Sequence, residues 1–145
     1  MAREGQYCTF FVNGLFLGLE VTCIQEVIRA QPLTVVPLAS HVIAGLMNLR
    51  GQIVTAIDLR HRLGMPSRDP AARPINVVVR TPDGAVSLLV DEIGDVIEVD
   101  AESFERPPDT LGDEARDLIR GAYKLKGRLL LVLDPTRTVD SDGAN

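Results

Sequence analysis

Two stretches of the chain decide its fold: GLMNLRGQIVTAIDL at 45–59 and GAYKLKGRLLLVLDP at 121–135. Each contains an apolar run, a basic residue followed by glycine, a second apolar run and an aspartate. Glycine adopts the backbone dihedrals that tight turns require, and two apolar runs joined by two residues are typical of a β-hairpin. Each stretch is therefore predicted to form strand, turn and strand, with Arg50 at the tip of the first hairpin.

The similarity extends beyond these hairpins to most of the chain. Two earlier hairpin signals surround an Asn-Gly pair and a Thr-Pro-Asp-Gly sequence, and both pairs of runs are apolar. The similar segments follow one another in the same order in each half: 7–19 resembles 75–90, 20–30 resembles 91–100, and 41–49 resembles 117–125. The sequence thus indicates a duplicated unit.

The duplication predicts an all-β fold with short helices. The apolar runs have the length and alternation of strands, so each half, 7–60 and 75–137, is expected to hold about five strands and to form a small barrel. The proline-rich segment 61–74 is predicted to connect the halves, with a helical turn at its start. Further helical turns are predicted at 20–30, before a short strand, and at 40–45. Because so small a barrel is marginal alone, we expect an apolar seam between the two.

The composition excludes several classes of function. The chain has 145 residues, is 46% hydrophobic and 24% charged, and carries a net charge of −5. An acidic chain of this kind is not expected to bind nucleic acid, which requires a basic face. The N-terminus lacks a signal-peptide pattern and no apolar run is long enough to span a membrane. Cys8 and Cys23 are predicted to be reduced, partly buried thiols of a cytoplasmic protein.

No set of catalytic, metal-binding or cofactor-binding residues is recognisable. His41 and His61 are the only histidines, and neither has a metal-ligand spacing with Cys, Asp or Glu. Asp58 and Asp134 occupy equivalent places at strand ends, which favours turn or cap hydrogen bonds over acid catalysis. The sequence therefore predicts no enzymatic activity, no metal and no cofactor.

Two charged residues near the predicted seam have alternative interpretations. Glu26 and Arg50 are either solvated surface groups that form an ion pair of little energetic value, or the charged rim of an apolar recognition groove. Arginine is frequent at protein interfaces because its planar guanidinium bonds directionally while its stem packs. Spacing alone leaves both interpretations open.

The stretch from IQEVIRA to VPLASHVIAGLMNLRGQIVTAIDLRHRLG resembles the CheW family, the coupling proteins of bacterial chemotaxis-type signalling. The resemblance continues in LLVDEIGDVIEVD and LIRGAYKLKGRLLLVLD and covers roughly residues 6–137. It implies one CheW-like domain over 1–145, built from two SH3-like five-stranded β-barrels related by pseudo-two-fold symmetry, with an apolar cleft between them. Asp134-Pro135 and Thr55-Ala56 depart from the family pattern, which implies a changed strand edge and a shortened terminal element.

The resemblance also implies partners and site residues. Family members are adaptors without enzymatic activity that bind the regulatory domain of the histidine kinase CheA and the cytoplasmic tip of methyl-accepting receptors. They are cytoplasmic and are recruited to receptor clusters at the inner face of the membrane. The residues that match the coupling motif are Glu26, Asn48, Leu49, Arg50 and Gly51, and those that match the apolar receptor-binding cleft are Ile24, Val27 and Val96.

Three functional hypotheses follow. The first is an adaptor that couples receptors to the kinase and so lets receptors control kinase autophosphorylation. The second is a CheW-like adaptor of a non-flagellar chemosensory-type pathway, such as surface motility, adhesion or second-messenger control. The third is a small-barrel enzyme or ligand carrier, which the missing acid and base residues argue against.

Overall fold

The computed structural model describes residues 5–140, which form two β-sheets and three short α-helices. The strands are β1 (Gln6–Val12), β2 (Leu15–Glu20), β3 (Ile24–Ile28), β4 (Ile43–Leu49), β5 (Gln52–Asp58), β6 (Ile75–Thr81), β7 (Gly84–Val90), β8 (Glu92–Glu98), β9 (Phe104–Glu105), β10 (Ile119–Leu125) and β11 (Arg128–Leu133). The α-helices are α1 (Leu59–Arg62), α2 (Asp113–Leu118) and α3 (Pro135–Val139). The all-β prediction with short helices is confirmed.

Each sheet combines strands from both halves of the sequence. The six-stranded sheet has the order β8-β1-β2-β11-β10-β9, and the five-stranded sheet has the order β3-β6-β7-β5-β4. We expected each half to form its own barrel. Instead, the first hairpin of each half, β1–β2 or β6–β7, joins the remaining strands of the other half. The ranges 7–60 and 75–137 are therefore units of sequence repetition, and neither builds a sheet alone.

The strand pairing repeats as faithfully as the sequence does. Ile24 of β3 lies opposite Val79 of β6, and Ile93 of β8 lies opposite Phe10 of β1. Ile93 stands 69 positions after Ile24, and Val79 stands 69 positions after Phe10. Each sheet also contains one parallel contact, β5 with β7 and β11 with β2. The exchanged hairpins thus occupy equivalent places in the two sheets.

The predicted tight turns are present and explain the choice of turn residues. Asn13 and Gly14 have φ values of 50° and 83°, and Arg50 and Gly51 have 52° and 87°. Two consecutive positive φ angles define a type I′ turn, whose twist matches that of paired antiparallel strands. Asparagine and glycine tolerate these dihedrals easily, whereas arginine is an uncommon residue there. The side chain of Arg50 is consequently held at the tip of the β4–β5 hairpin.

The helical predictions were only partly correct. At 20–30 the helical part is a single 3-10 turn, Val21–Cys23, and the strand β3 begins at once with Ile24. The predicted helical turn at 40–45 is wrong, because β4 begins at Ile43 after a turn that the Ile43 N–H closes on the Ser40 carbonyl. Tertiary pairing overrides the local pattern in both places, since each β-branched segment lies against a neighbouring strand.

An apolar seam was predicted between the two halves of the sequence, and the structure has one between the two sheets. A large buried cluster contains side chains of both sheets, while each sheet also surrounds a smaller cluster of its own. Strands covered on both faces explain why the sequence has continuous apolar runs and not strict alternation. The buried members of the shared cluster include Phe10, Leu17 and Leu131 from the six-stranded sheet and Ile57, Val77 and Leu88 from the five-stranded sheet.

The helices are short, and aspartates cap the starts of α1 and α3. Asp58 accepts a hydrogen bond from the Arg60 N–H at the start of α1, and Asp134 accepts one from the Arg137 N–H at the start of α3. This confirms the predicted cap role of the repeated aspartate, because side-chain oxygens satisfy free N–H groups at a helix start. Pro135 occupies the first turn of α3, where a missing N–H is tolerated. Within residues 5–140, no helix has the length and hydropathy needed to cross a lipid bilayer.

Candidate protein-interaction site

The structure brings Glu26 and Arg50 into direct contact. Arg50 Nη1 donates to Glu26 Oε1 at 2.9 Å, and Arg50 Nη2 donates to Glu26 Oε2. Two parallel bonds between a guanidinium and a carboxylate fix the orientation of both groups. Gln25 Nε2 donates to Glu26 Oε2 at 3.0 Å and holds the carboxylate from the other side. The ion-pair interpretation of these two residues is therefore correct in geometry.

The neighbouring motif residues set the position of Arg50. Asn48 Oδ1 accepts a hydrogen bond of 2.8 Å from the Gly51 N–H, which closes the turn from the side chain. Leu49 is buried with Met47 and Val54 inside the five-stranded sheet. Asn48, Leu49 and Gly51 thus form and anchor the turn, while the Arg50 side chain is 66% exposed.

The ion pair joins the two edges of the five-stranded sheet. Glu26 belongs to the edge strand β3, and Arg50 follows the opposite edge strand β4. The chain between them also lies along β4, because Thr34 and Leu46 exchange two backbone hydrogen bonds of 2.8 Å. The sheet is therefore curled so that its first and last strands approach each other. Sequence analysis did not foresee this role for the pair.

Acid titration should reveal the ion pair. The hydrogen bonds from Arg50, and then from Gln25, lower the pKa of Glu26 from 4.5 to about 2. A carboxylate with a depressed folded-state pKa stabilises the fold above its unfolded pKa, and this contribution is lost as the pH falls through the folded pKa. We expect the difference in urea midpoint between the wild type and Glu26→Gln to be constant from about pH 8 to pH 5 and to shrink below about pH 4.5. A difference that already shrinks between pH 7 and pH 5 would contradict the assignment.

The predicted apolar cleft residues lie on two sheets. Ile24 and Val27 are on β3 of the five-stranded sheet, and Val96 is on β8 of the six-stranded sheet. Ile24 is half-buried against the shared core, whereas Val27 and Val96 are 40% and 59% exposed. Both β3 and β8 are edge strands in equivalent positions of the repeat. Each edge thus presents an exposed valine, while the assignment of all three residues to one receptor-binding cleft stays a prediction.

The equivalent place in the six-stranded sheet has different chemistry. The repeat aligns Glu26 with Asp95 and Arg50 with Lys126, but no ion pair joins Asp95 and Lys126 in the part of the chain that the structure describes. Arg128 instead lies over the Phe16 ring, with its guanidinium carbon 3.9 Å from the ring centroid. A cavity of about 370 Å³ lies beside it, lined in part by Asp95. The Glu26–Arg50 pair is therefore specific to one half.

An ion-pair network that the sequence analysis missed holds the connection between the halves. Arg60 donates to both carboxylate oxygens of Asp91, and Arg68 Nε donates to Asp91 Oδ1 at 3.1 Å. Arg68 also donates to Asp58 Oδ2 at 3.1 Å, and the Asn13 N–H donates to Asp91 Oδ2 at 2.7 Å. Burial raises the pKa of Asp91, but these hydrogen bonds outweigh it and lower the pKa overall. The basic residues at 60–68 were the feature of the sequence from which this network could have been predicted.

The histidine His61 is hydrogen-bonded within the protein, and the two cysteines are at least partly buried. His61 Nε2 lies 2.7 Å from Ser67 Oγ, and His61 Nδ1 lies 3.1 Å from the His41 carbonyl. Cys8 and Cys23 are free thiols, as predicted, and burial raises the pKa of both. Within residues 5–140, no group of three or more His, Cys, Asp or Glu side chains is placed to hold a metal ion.

Comparison with known proteins shows the family to which this fold belongs. Residues 6–143 match the family model described as a CheW-like domain. The chemotaxis protein CheW of Bacillus subtilis is 30% identical over 135 residues, which cover 93% of this chain and 86% of the relative. That of Thermotoga maritima is 28% identical over 138 residues, covering 95% and 89% respectively.

A solved structure of a CheW protein is similar to this chain in fold. The crystal structure of the scaffolding protein TtCheW from Thermoanaerobacter tengcongensis superposes with a TM-score of 0.80 at 26% sequence identity. The match covers 92% of this chain and 90% of that one. The resemblance inferred from the hairpin motif and the duplicated strands is thus confirmed over nearly the whole length, and the chain belongs to the CheW family of chemotaxis scaffolding and adaptor proteins.

Proposed function

We propose that the chain is a non-enzymatic adaptor that couples methyl-accepting chemoreceptors to the histidine kinase CheA. The observation that carries this proposal is a fixed arginine on an anchored turn, in a chain of the CheW family. Arg50 is mostly exposed, yet Glu26 holds its guanidinium in one orientation. A preorganised arginine binds a partner with less loss of side-chain entropy than a mobile one.

The proposed mechanism is positional. The two sheets share one buried core, which supports a fixed relation between surfaces on either sheet. An adaptor of this kind would hold the receptor tip along the edges that carry Val27 and Val96, and the kinase regulatory domain at an end of one of the two sheets. Changes in receptor packing would then shift the kinase between states through their different contacts with the adaptor. With these proposed contacts, the protein would act in the cytoplasm, at receptor clusters.

Substitution of Arg50 tests the proposal. We expect Arg50→Ala to reduce the amount of ternary complex with receptor-containing membranes and kinase about tenfold, because an anchored interface arginine is removed. Its melting temperature should stay within about 2 °C of the wild type, since an exposed ion pair contributes little to stability. Co-sedimentation and a melting curve give the two measurements.

Arg120→Ala is the matched control. Arg120 also forms an exposed ion pair, with Glu20 at 3.3 Å, but on the six-stranded sheet. Its loss should leave assembly unchanged. Assembly of Arg50→Ala at the wild-type level would contradict the proposal, as would an Arg50→Ala protein that has lost its fold.

A further inference from the structure

The edge strand β3 contains a β-bulge one residue before Glu26. Ile24 lies opposite Val79 of β6, whereas Glu26 lies opposite Val78, the adjacent residue of β6. Gln25 is therefore an extra residue without a partner on β6. Neighbouring residues of a regular strand point to opposite faces of the sheet, but a bulge breaks this alternation and re-aims the side chains beside it. The bulge thus allows the side chains of Gln25 and Glu26 to meet.

The side chain of this bulge residue holds the Glu26 carboxylate. Gln25 Nε2 donates to Glu26 Oε2 at 3.0 Å, the same oxygen that accepts from Arg50 Nη2. Arg50 donates to the carboxylate through both of its Nη atoms, although 66% of the Arg50 side chain is exposed. The orientation of Arg50 thus depends on Glu26, and the orientation of Glu26 depends in part on Gln25.

The six-stranded sheet has the same bulge with a different residue in it. Gly94 and Asp95 of β8 lie where β1 has Thr9 alone, and they stand 69 positions after Gln25 and Glu26. Glycine has no side chain that could hold Asp95, and a Cβ atom at Gly94 would lie 2.5 Å from Thr9 Oγ1. Among residues 5–140, Asp95 forms no ion pair with the basic residue of the hairpin turn. The missing pair accompanies both a shorter acidic side chain and a bulge residue without a donor.

We propose that Gln25 is a positioning residue of the interaction site, whose side-chain amide holds Glu26 and, through it, the Arg50 guanidinium in the orientation that the partner binds. This inference rests on the proposed function and deepens it. A side chain that is fixed before binding loses less rotational freedom when the complex forms. Gln25 itself contributes no contact with the partner, so its whole effect on assembly passes through Arg50.

Gln25→Met tests the proposal, because methionine keeps the length of the side chain and removes the donor. We expect the amount of ternary complex with receptor-containing membranes and kinase to fall about fivefold, less than in Arg50→Ala, because the ion pair is loosened and not removed. The hydrogen bonds from Arg50 and then from Gln25 lower the pKa of Glu26, so this pKa should rise in the variant. Co-sedimentation measures the assembly, and an NMR titration of the Glu26 carboxyl carbon measures the pKa.

The double variant Gln25→Met/Arg50→Ala separates positioning from direct contact. It should assemble as well as Arg50→Ala alone, because the glutamine acts only through the arginine. Gln31→Met is the matched control, since Gln31 Nε2 donates to the Arg29 carbonyl at 3.1 Å and not to Glu26. This control should assemble as the wild type does.

Assembly of Gln25→Met at the wild-type level would overturn the assignment of Gln25 alone, as would an unchanged pKa of Glu26 or the loss of the fold in this variant. Additive losses in the double variant would also overturn it, because they would mean that Gln25 itself contacts the partner. Assembly of Arg50→Ala at the wild-type level would overturn the proposed function, whatever the result for Gln25→Met.

Discussion

Replacing Asp91 with alanine is expected to lower the free energy of unfolding by about 3 kcal/mol, because it removes the carboxylate to which two partly buried guanidinium groups donate, and only Arg68 keeps a second carboxylate partner, Asp58. Asp91 accepts hydrogen bonds from Arg60, Arg68 and the Asn13 backbone. The Arg60 and Arg68 side chains are only 17% and 11% exposed, so water replaces the lost partner poorly. Urea unfolding measures the effect.

The position of Asp91 between the two sheets explains the large loss of stability expected from its substitution. It lies between β7 of the five-stranded sheet and β8 of the six-stranded sheet, and it also binds the β1–β2 turn. Asp91→Asn is the matched control, because the amide keeps one acceptor oxygen, and it should lose about half as much stability. A change below about 1 kcal/mol in Asp91→Ala would mean that the network is solvated and energetically unimportant.

Substitution of Gly121 by alanine is expected to lower the free energy of unfolding by about 2 to 3 kcal/mol, nearly as much as Asp91→Ala, because a side chain there overlaps its neighbours. A Cβ atom at this position would lie 2.7 Å from Phe104 Cε1 and 2.8 Å from the Glu105 carbonyl oxygen. The ring could turn away, but the carbonyl belongs to the β9–β10 pairing. The variant should therefore release β9 from the six-stranded sheet, and amide exchange of β9 and β10 would detect this release.

Gly112→Ala provides the control for Gly121→Ala. Gly112 precedes α2, and an added Cβ would meet only the Glu114 carboxylate, at 4.0 Å. We expect a change within about 0.5 kcal/mol in that variant. Equal stability of the two variants would show that the six-stranded sheet accommodates a side chain at Gly121, contrary to the packing described. The repeat adds the expectation that Gly45→Ala is also destabilising, because a Cβ atom added at Gly45, the counterpart of Gly121, would lie 2.7 Å from the Thr34 carbonyl oxygen.

The candidate site was recognised in sequence through its motif, but its geometry was not. Local chemistry predicted a turn at Arg50-Gly51 and an ion pair or recognition role for Glu26 and Arg50, and the resemblance assigned both residues to one coupling motif. The bidentate pairing of Glu26 with Arg50 depends on how the five-stranded sheet curls, which no local pattern records. The same holds for Gln25, whose place in a bulge is set by the pairing of β3 with β6.

The sequence by itself determined the elements that depend on neighbouring residues. Asn13-Gly14 and Arg50-Gly51 form tight turns, and Asp58 and Asp134 cap the helices that follow the strands. The turn dihedrals and the cap hydrogen bonds of these elements involve only residues within four positions of each other. The duplication was also visible, because it preserves the same residue types in the same order.

Only the tertiary structure decided which hairpin joins which sheet. The two halves carry similar edges, so strand periodicity fits pairing within a half as well as pairing between halves. The observed exchange places β1–β2 with β8 and β11, and β6–β7 with β3 and β5. It is settled by long-range terms. One face of each hairpin is buried in the shared core and the other in the smaller cluster of its sheet, and the Asp91 network joins the sheets where β7 passes into β8.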